Sequence, residues 1–182
     1  FVYAGLLLQK VTSSESGGRI MHIRHILFDL DGTLLPMNQD EFVTFYMPLL
    51  AKKYISEGIS FDPKAFIASV WKGYGAMVNN DGSCTNREAF WQYMDELLPT
   101  DSENSERIAL DFYANEFNQA IAVTQPNSLS DKVVKKAKEK GIRTYLATNP
   151  VFPKVATMNR IKWAGLDAED FELIITYEDN CY

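Results

Sequence analysis

The chain has 182 residues, 46% hydrophobic and 23% charged, the balance of a globular protein long enough for one large domain or a core with an insertion. Its net charge of −6 offers no basic surface and argues against nucleic acid as a partner. No apolar run approaches the roughly 20 residues that cross a bilayer, so no membrane role is expected.

At the start, "VYAGLLL" has no basic flank before it and no small-residue cleavage site after it, unlike a signal peptide. "SSESGG" separates this patch from Met21. Met21 reads as the natural start and residues 1–20 as an upstream extension. The other reading is a short strand or helix packed on the domain. Cys84 and Cys181 lie far apart, match no metal-binding spacing, and read as free thiols in a cytoplasmic protein.

"IRHILFD" (23–29) is dense in Ile, Leu and Phe, too short for a helix, and predicts a buried strand. After Pro36 the period becomes helical. Phe42, Phe45, Tyr46, Leu49 and Leu50 form one stripe, and Gly58 is placed to end that helix. Asp62-Pro63 opens a second helix through about Met77. Thr85 to Glu88 is a capping box ahead of Phe90, Trp91, Met94, Leu97 and Leu98. A fourth helix carries Ala109, Phe112, Tyr113 and Phe117. Four amphipathic helices with no strand between them predict a helical unit over residues 38–122.

From there strands and helices alternate. A helix from about Ser128 ends at Gly141, "IRTYLAT" (142–148) is a strand, Phe152-Pro153 opens a helix to about Ala164, and "FELIITY" (171–177) is a third strand. This rhythm predicts a parallel sheet whose first strand is 23–29, with the helical unit inserted after it.

The chemistry concentrates in "HILFDLDGTLL". Asp-Gly is a common turn dipeptide, and Asp81-Gly82, among polar neighbours with no strand before it, reads as a plain turn. Asp31-Gly32 differs, because a strand delivers it to the carboxyl edge of the sheet, where open α/β sheets bind ligands. Asp29 and Asp31 offer hard oxygens to a divalent cation such as Mg²⁺, and amides of the glycine turn can face a phosphate.

"FDLDGTLL" resembles the first motif of the haloacid dehalogenase superfamily, hydrophobic residues followed by Asp-x-Asp-Gly-Thr. "TYLATNP" is similar to its second motif, a strand ending in Thr or Ser. The helical unit stands where that family inserts a helical cap, and the resemblance covers residues 21–182. It implies an α/β fold with a Rossmann-like parallel sheet core, residues 21–37 and 123–182, and an all-helical cap, residues 38–122. It further implies a cytoplasmic, Mg²⁺-dependent phosphatase acting on a small phosphorylated metabolite.

By the same resemblance Asp29 is the nucleophile that becomes an aspartyl-phosphate, and Asp31 the general acid and then the base. The Asp29 carboxylate and the Asp31 residue, through its backbone carbonyl, hold Mg²⁺. Thr148 binds the phosphoryl group, helped by main-chain amides around Leu30, Gly32 and Asn149. The second aspartate points to phosphate chemistry rather than carbon–halogen cleavage. A phosphomutase of the same superfamily uses the same residues and stays open as an alternative. A receiver-type signalling domain has no place for the helical insertion.

The family also has a lysine and a distal acidic pair after Thr148. Lys154 follows Thr148 too closely and reads as a solvated helix residue. Glu178 and Asp179 come one strand too early for the metal acids. The chain is therefore expected to be incomplete at its carboxyl end and inactive as it stands, a catalytically silent fragment being the second alternative. Lys72, Tyr74 and Arg87 are candidate substrate contacts from the cap. "GYGAM" reads as a helix end, "KVVKKAKEK" as a solvated helix face, and His22 and His25 as lying away from the site.

Overall fold

A computed structural model describes residues 22–95 and 102–181, so the expectations for residues 1–20, Met21, Leu97 and Leu98 lie outside the described residues. Strands β1 (His25–Phe28) and β2 (Arg143–Leu146) pair in parallel, with His25 opposite Arg143 and Phe28 opposite Leu146. Between them in the chain come α1 (Gln39–Ser56), α2 (Pro63–Val78), α3 (Asn86–Asp95), α4 (Ser102–Ala114), a 3₁₀ helix (Glu116–Val123) and α5 (Ser128–Glu139). After β2 come α6 (Lys154–Trp163) and a short 3₁₀ turn (Ala168–Asp170). The architecture is α/β with a small parallel sheet. Among the described residues no helix is long and apolar enough to cross a membrane.

Local signals set the helix ends. Asn38 accepts from the Glu41 amide at 3.0 Å and Asp62 from the Ala65 amide at 2.8 Å, each satisfying a donor left open in a first turn. Thr85 and Glu88 form the reciprocal box, at 2.8 Å and 3.2 Å. Helix α1 closes through Gly58 at φ +87, with the Ile59 amide returning to Tyr54 O at 3.1 Å. Gly82, at φ +86, sits in a turn whose Ser83 amide donates to Asp81 at 2.9 Å, as the polar setting of Asp81-Gly82 implied.

Two expectations need correction. The first strand is not buried: Leu27 is 45% and Ile23 46% exposed. Side chains alternate between the faces of the pair, and the face that carries His25 and Leu27 is left uncovered among the described residues, so Leu27 is exposed despite its apolar character. The segment 171–177 is also not a full strand. It runs along β2, with Glu172 N bonded to Thr144 O and Ile175 N to Leu146 O, but only Ile174 forms a bridge, opposite Leu146. Beyond it the Tyr177 amide turns to Phe152 O, and the Tyr177 hydroxyl meets Trp91 at 3.3 Å and Glu106 at 3.2 Å. Side-chain anchoring in the helical layer pulls the backbone off the ladder. A smaller shift affects Phe117, which lies in the 3₁₀ helix rather than in α4.

One aromatic cluster joins the helices to the sheet side. Phe117, fully buried, meets Tyr46 at 5.4 Å, Phe152 at 6.1 Å and Trp163 at 5.2 Å between ring centres. The Tyr46 pair is edge-to-face and the other two are tilted, and ring pairs at such spacings add to the apolar area already removed from water. Polar fasteners cross the same boundary. Buried Asn86 donates from Nδ2 to Pro150 O at 2.8 Å and accepts from Asn80 at 2.9 Å. Asn159 donates to Tyr113 O at 2.8 Å, and the Trp163 indole to Asn118 at 3.2 Å. Met37 and Thr124 form an antiparallel bridge where the chain leaves and re-enters the sheet side.

Asn86→Ala removes one donor and one acceptor and strands the Pro150 carbonyl. It is expected to lower stability by about 1–3 kcal/mol, read as a shifted urea midpoint; an unshifted midpoint would show the link to be idle. At Gly73 an added Cβ would lie 2.8 Å from a Phe90 ring carbon, where α2 packs on α3. Gly73→Ala should therefore cost about 1–3 kcal/mol by overpacking, and a rise in melting temperature would refute that contact.

Candidate active site

Parallel pairing brings two distant segments to one edge. Asp29 follows directly on β1, and the Ala147 amide donates to Phe28 O at 2.8 Å, so Thr148 leaves β2 at the same end. After Asp29 the chain folds into a tight turn. Leu30 is fully buried, and its carbonyl accepts the amides of Thr33 at 3.1 Å and Leu35 at 2.8 Å. The Gly32 amide donates to Leu35 O at 2.9 Å and is directed into the turn. Gly32 has φ +82, a conformation that costs glycine nothing and other residues strain, while a Cβ there would meet only Gln39 at 3.8 Å. Backbone conformation, not space, requires glycine.

The turn aims its side chains unequally. Leu30, Leu34 and Leu35 drive into the core, which fixes the polar residues between them. Thr33 Oγ1 donates to Asp29 Oδ2 at 2.8 Å. The Asp31 side chain is 17% exposed and forms an ion pair through Oδ2 with Nη1 of Arg160, while its Oδ1 is buried with no hydrogen-bond partner. Burial pushes the Asp31 carboxyl above the usual carboxylate range; the Arg160 guanidinium opposes that rise, and nearby Asp29 adds to it.

Arg160 is the residue that sequence reasoning missed. It is fully buried on α6, with Nε donating to Ala156 O at 3.3 Å and Nη2 to Thr157 Oγ1 at 3.2 Å. Its guanidinium carbon lies 4.0 Å from the centre of the Phe152 ring. The available signal was its spacing: Arg160 stands four residues after Ala156 and four before Ala164, both buried, so a charge occupies the inward stripe. Tyr46 and Tyr113 stand close enough for electrostatic contact with Arg160. Burial, then Tyr113, raises the Tyr46 hydroxyl; Arg160 opposes and Asp31 adds.

The other candidates separate. Thr148 is buried at the sheet edge, and Asn149 is exposed, with its carbonyl accepting from the Val151 amide at 2.8 Å. Lys154 is exposed, and its amide donates to Glu178 at 2.7 Å, so Glu178 caps α6. Arg87 binds Glu106 through two nitrogens, at 2.6 Å and 2.5 Å. Lys72 is exposed on α2, and Tyr74 packs edge-on against Trp71. His25 meets the Tyr145 hydroxyl at 3.0 Å at the opposite end of β1 from Asp29.

Among the described residues no group of three or more His, Cys, Asp and Glu side chains gathers as a metal cage. The hard donors at the strand end are the Asp29 carboxylate and the Asp31 carbonyl, the latter accepting from Gln39 at 3.3 Å. Magnesium is commonly held by one or two carboxylates, with phosphate oxygens and water completing an octahedron. This donor set fits that mode and not an all-protein calcium cage.

No curated protein matches the chain. A family model described as haloacid dehalogenase-like hydrolase matches residues 23–179, which include β1, the Asp29 to Leu35 turn, the helical insertion and the Thr148 loop. With an Asp-x-Asp-Gly-Thr turn at the carboxyl edge of a parallel strand pair and a match over most of its length, the chain belongs to the haloacid dehalogenase-like hydrolases.

Proposed function

We propose that the protein is a phosphatase that hydrolyses small phosphomonoesters through an aspartyl-phosphate on Asp29, with Mg²⁺ as its cofactor. The observation that carries this reading is the pair of carboxylates on one turn, Asp31 presenting a buried oxygen with no partner. A buried acceptor without a partner is costly unless something in the working site satisfies it. A protonated Asp31 would need an acceptor instead, which a leaving-group oxygen supplies, and the ionised form would need a donor, which the attacking water supplies.

Asp29 attacks phosphorus with its carboxylate, and the bond from phosphorus to the ester oxygen breaks. The departing oxygen keeps the bonding pair and takes the proton carried by Asp31. Water then attacks the phosphorus of the aspartyl-phosphate while the Asp31 carboxylate accepts its proton. The bond to the Asp29 oxygen breaks, releasing inorganic phosphate and restoring both carboxyl groups. Elevated proton affinity suits Asp31 to this exchange, since a carboxyl at its ordinary value is a poor proton donor near neutrality. Thr33 orients Asp29 by its 2.8 Å hydrogen bond. Thr148, with the amides near Leu30 and Asn149, is the phosphoryl-binding group in this reading. The Asp29 carboxylate and the Asp31 carbonyl would hold Mg²⁺, which supplies charge to offset the repulsion between phosphate and nucleophile. The helical insertion serves as the cap that selects the substrate.

Asp29→Asn is expected to abolish Mg²⁺-dependent release of phosphate from p-nitrophenyl phosphate by the protein. Asp31→Asn should lower turnover by about 10² to 10⁴. Retention of most activity by Asp29→Asn would exclude the covalent route.

A further inference from the structure

We propose that Cys84 and Cys181 form a reversible modification site, a thiol pair that exchanges with small disulfides such as oxidised glutathione and closes into an internal disulfide. The inference is independent of the reaction proposed above. Both cysteines are free thiols, Cys181 exposed and Cys84 half-buried. In the sequence they stand far apart and share no motif. The fold brings them to one turn. Cys181 Sγ lies 3.7 Å from the position that a Cβ on Gly82 would take, and Cys84 is two residues further along the same turn. The Asn80 side-chain oxygen links the two sides, accepting the Gly82 amide at 3.1 Å and lying 3.8 Å from Cys84 Sγ.

The segments that carry the two thiols are fastened to each other. The Asn86 amide donates to Asn180 O at 2.8 Å and the Arg87 amide to Tyr177 O at 2.9 Å, so the start of α3 is held beside residues 177–180. Each segment is also tied within itself. Asn80 Nδ2 donates to Cys84 O at 2.9 Å, and Asn180 Nδ2 to Thr176 O at 3.1 Å. A disulfide tolerates little misplacement, since its Cβ atoms lie about 3.5–4.5 Å apart. Closing it requires the Cys84 side chain to turn from Asn80 toward Cys181. The contact given up is small, because a thiol is a weak hydrogen-bond donor.

The chemistry runs through two exchanges. Exposed Cys181, as thiolate, attacks one sulfur of oxidised glutathione; the glutathione S–S bond breaks, and the departing thiolate takes up the proton that Cys181 gave. Cys84, as thiolate, then attacks the Cys181 sulfur of the mixed disulfide, and the second glutathione leaves in the same way. The protein gives up two hydrogens and two electrons, which end on two molecules of reduced glutathione. Excess reduced thiol runs both steps backward. The new bond joins the loop between α2 and α3 to the segment that flanks β2. It would tie the helical insertion to the sheet side covalently, where hydrogen bonds hold it in the reduced protein.

The test is to equilibrate the native protein with oxidised glutathione, alkylate the remaining thiols, and determine the intact mass and the linked peptides. We expect loss of both free thiols, a mass lower by two hydrogens with no glutathione attached, and a peptide joining Cys84 to Cys181, all reversed by dithiothreitol. In Cys84→Ser the exchange should stop with one glutathione on Cys181. The urea midpoint of the oxidised protein should rise above that of the reduced protein, because a cross-link restricts the unfolded chain. Neither Cys84→Ser nor Cys181→Ser should show that rise. Glutathione retained on Cys181 in the unsubstituted protein, or a dimer linked through Cys181, would overturn the proposal. An internal disulfide that forms only in urea, or that leaves the midpoint unmoved, would overturn it as well.

Discussion

The parallel register of β1 on β2 is the constraint on which the rest depends. Phe28 opposite Leu146 sets where each strand ends, and so where Asp29 and Thr148 emerge. A shift of one residue would reverse the facing of every side chain on one strand and send Thr148 toward the opposite face. Parallel strands need a crossover connection, and here most of the described helices lie between the two partners. The helical insertion therefore has to be compatible with a sheet edge only a few residues wide. The aromatic cluster around Phe117 supplies that compatibility, because α1, α4, the 3₁₀ helix and α6 all contribute to it or pack beside it.

Hydrophobic packing alone would let such a layer slide. The polar fasteners limit this, since hydrogen bonds have direction and buried groups left unmade are costly. Asn86 ties the start of α3 to Pro150, two residues past Thr148, while Asn159 and Trp163 tie α6 to Tyr113 and Asn118. The loop that leaves β2 is thus gripped from the helical side at Pro150 and by Tyr177 at Phe152. A buried threonine at the sheet edge has little freedom when both sides of its loop are held.

Much of this was legible because the signals are local. Asp62 and Thr85 with Glu88 bond to amides three residues away, so sequence distance and spatial distance coincide. Asp29, Asp31 and Thr148 were legible for another reason: each closes a short apolar run, and parallel pairing collects such ends at one edge. Exposure of Leu27 was not legible, since it depends on what lies beside and over the strand rather than on the strand. The fate of 171–177 depended on Tyr177 reaching Trp91 and Glu106, contacts made across long stretches of chain. Arg160 was missed because arginine in a helix is usually a solvated residue. Only its place among Ala156, Ile161 and Ala164 marked it as inward-facing.

That placement bears on why the ion pair exists. Burying a guanidinium and a carboxylate costs several kcal/mol of solvation each, and an apolar pair of similar volume often does as well or better for stability. Arg160 recovers part of this through Ala156, Thr157 and the Phe152 face. Asp31 recovers less, since one of its oxygens has no partner. An ion pair selected for stability alone would satisfy both oxygens, as Arg87 does for Glu106 with two parallel bonds. At Asp31 the guanidinium meets a single oxygen and leaves the other buried without a partner. The asymmetry costs stability, because a buried carboxyl oxygen is left without a hydrogen bond beside the Asp29 turn.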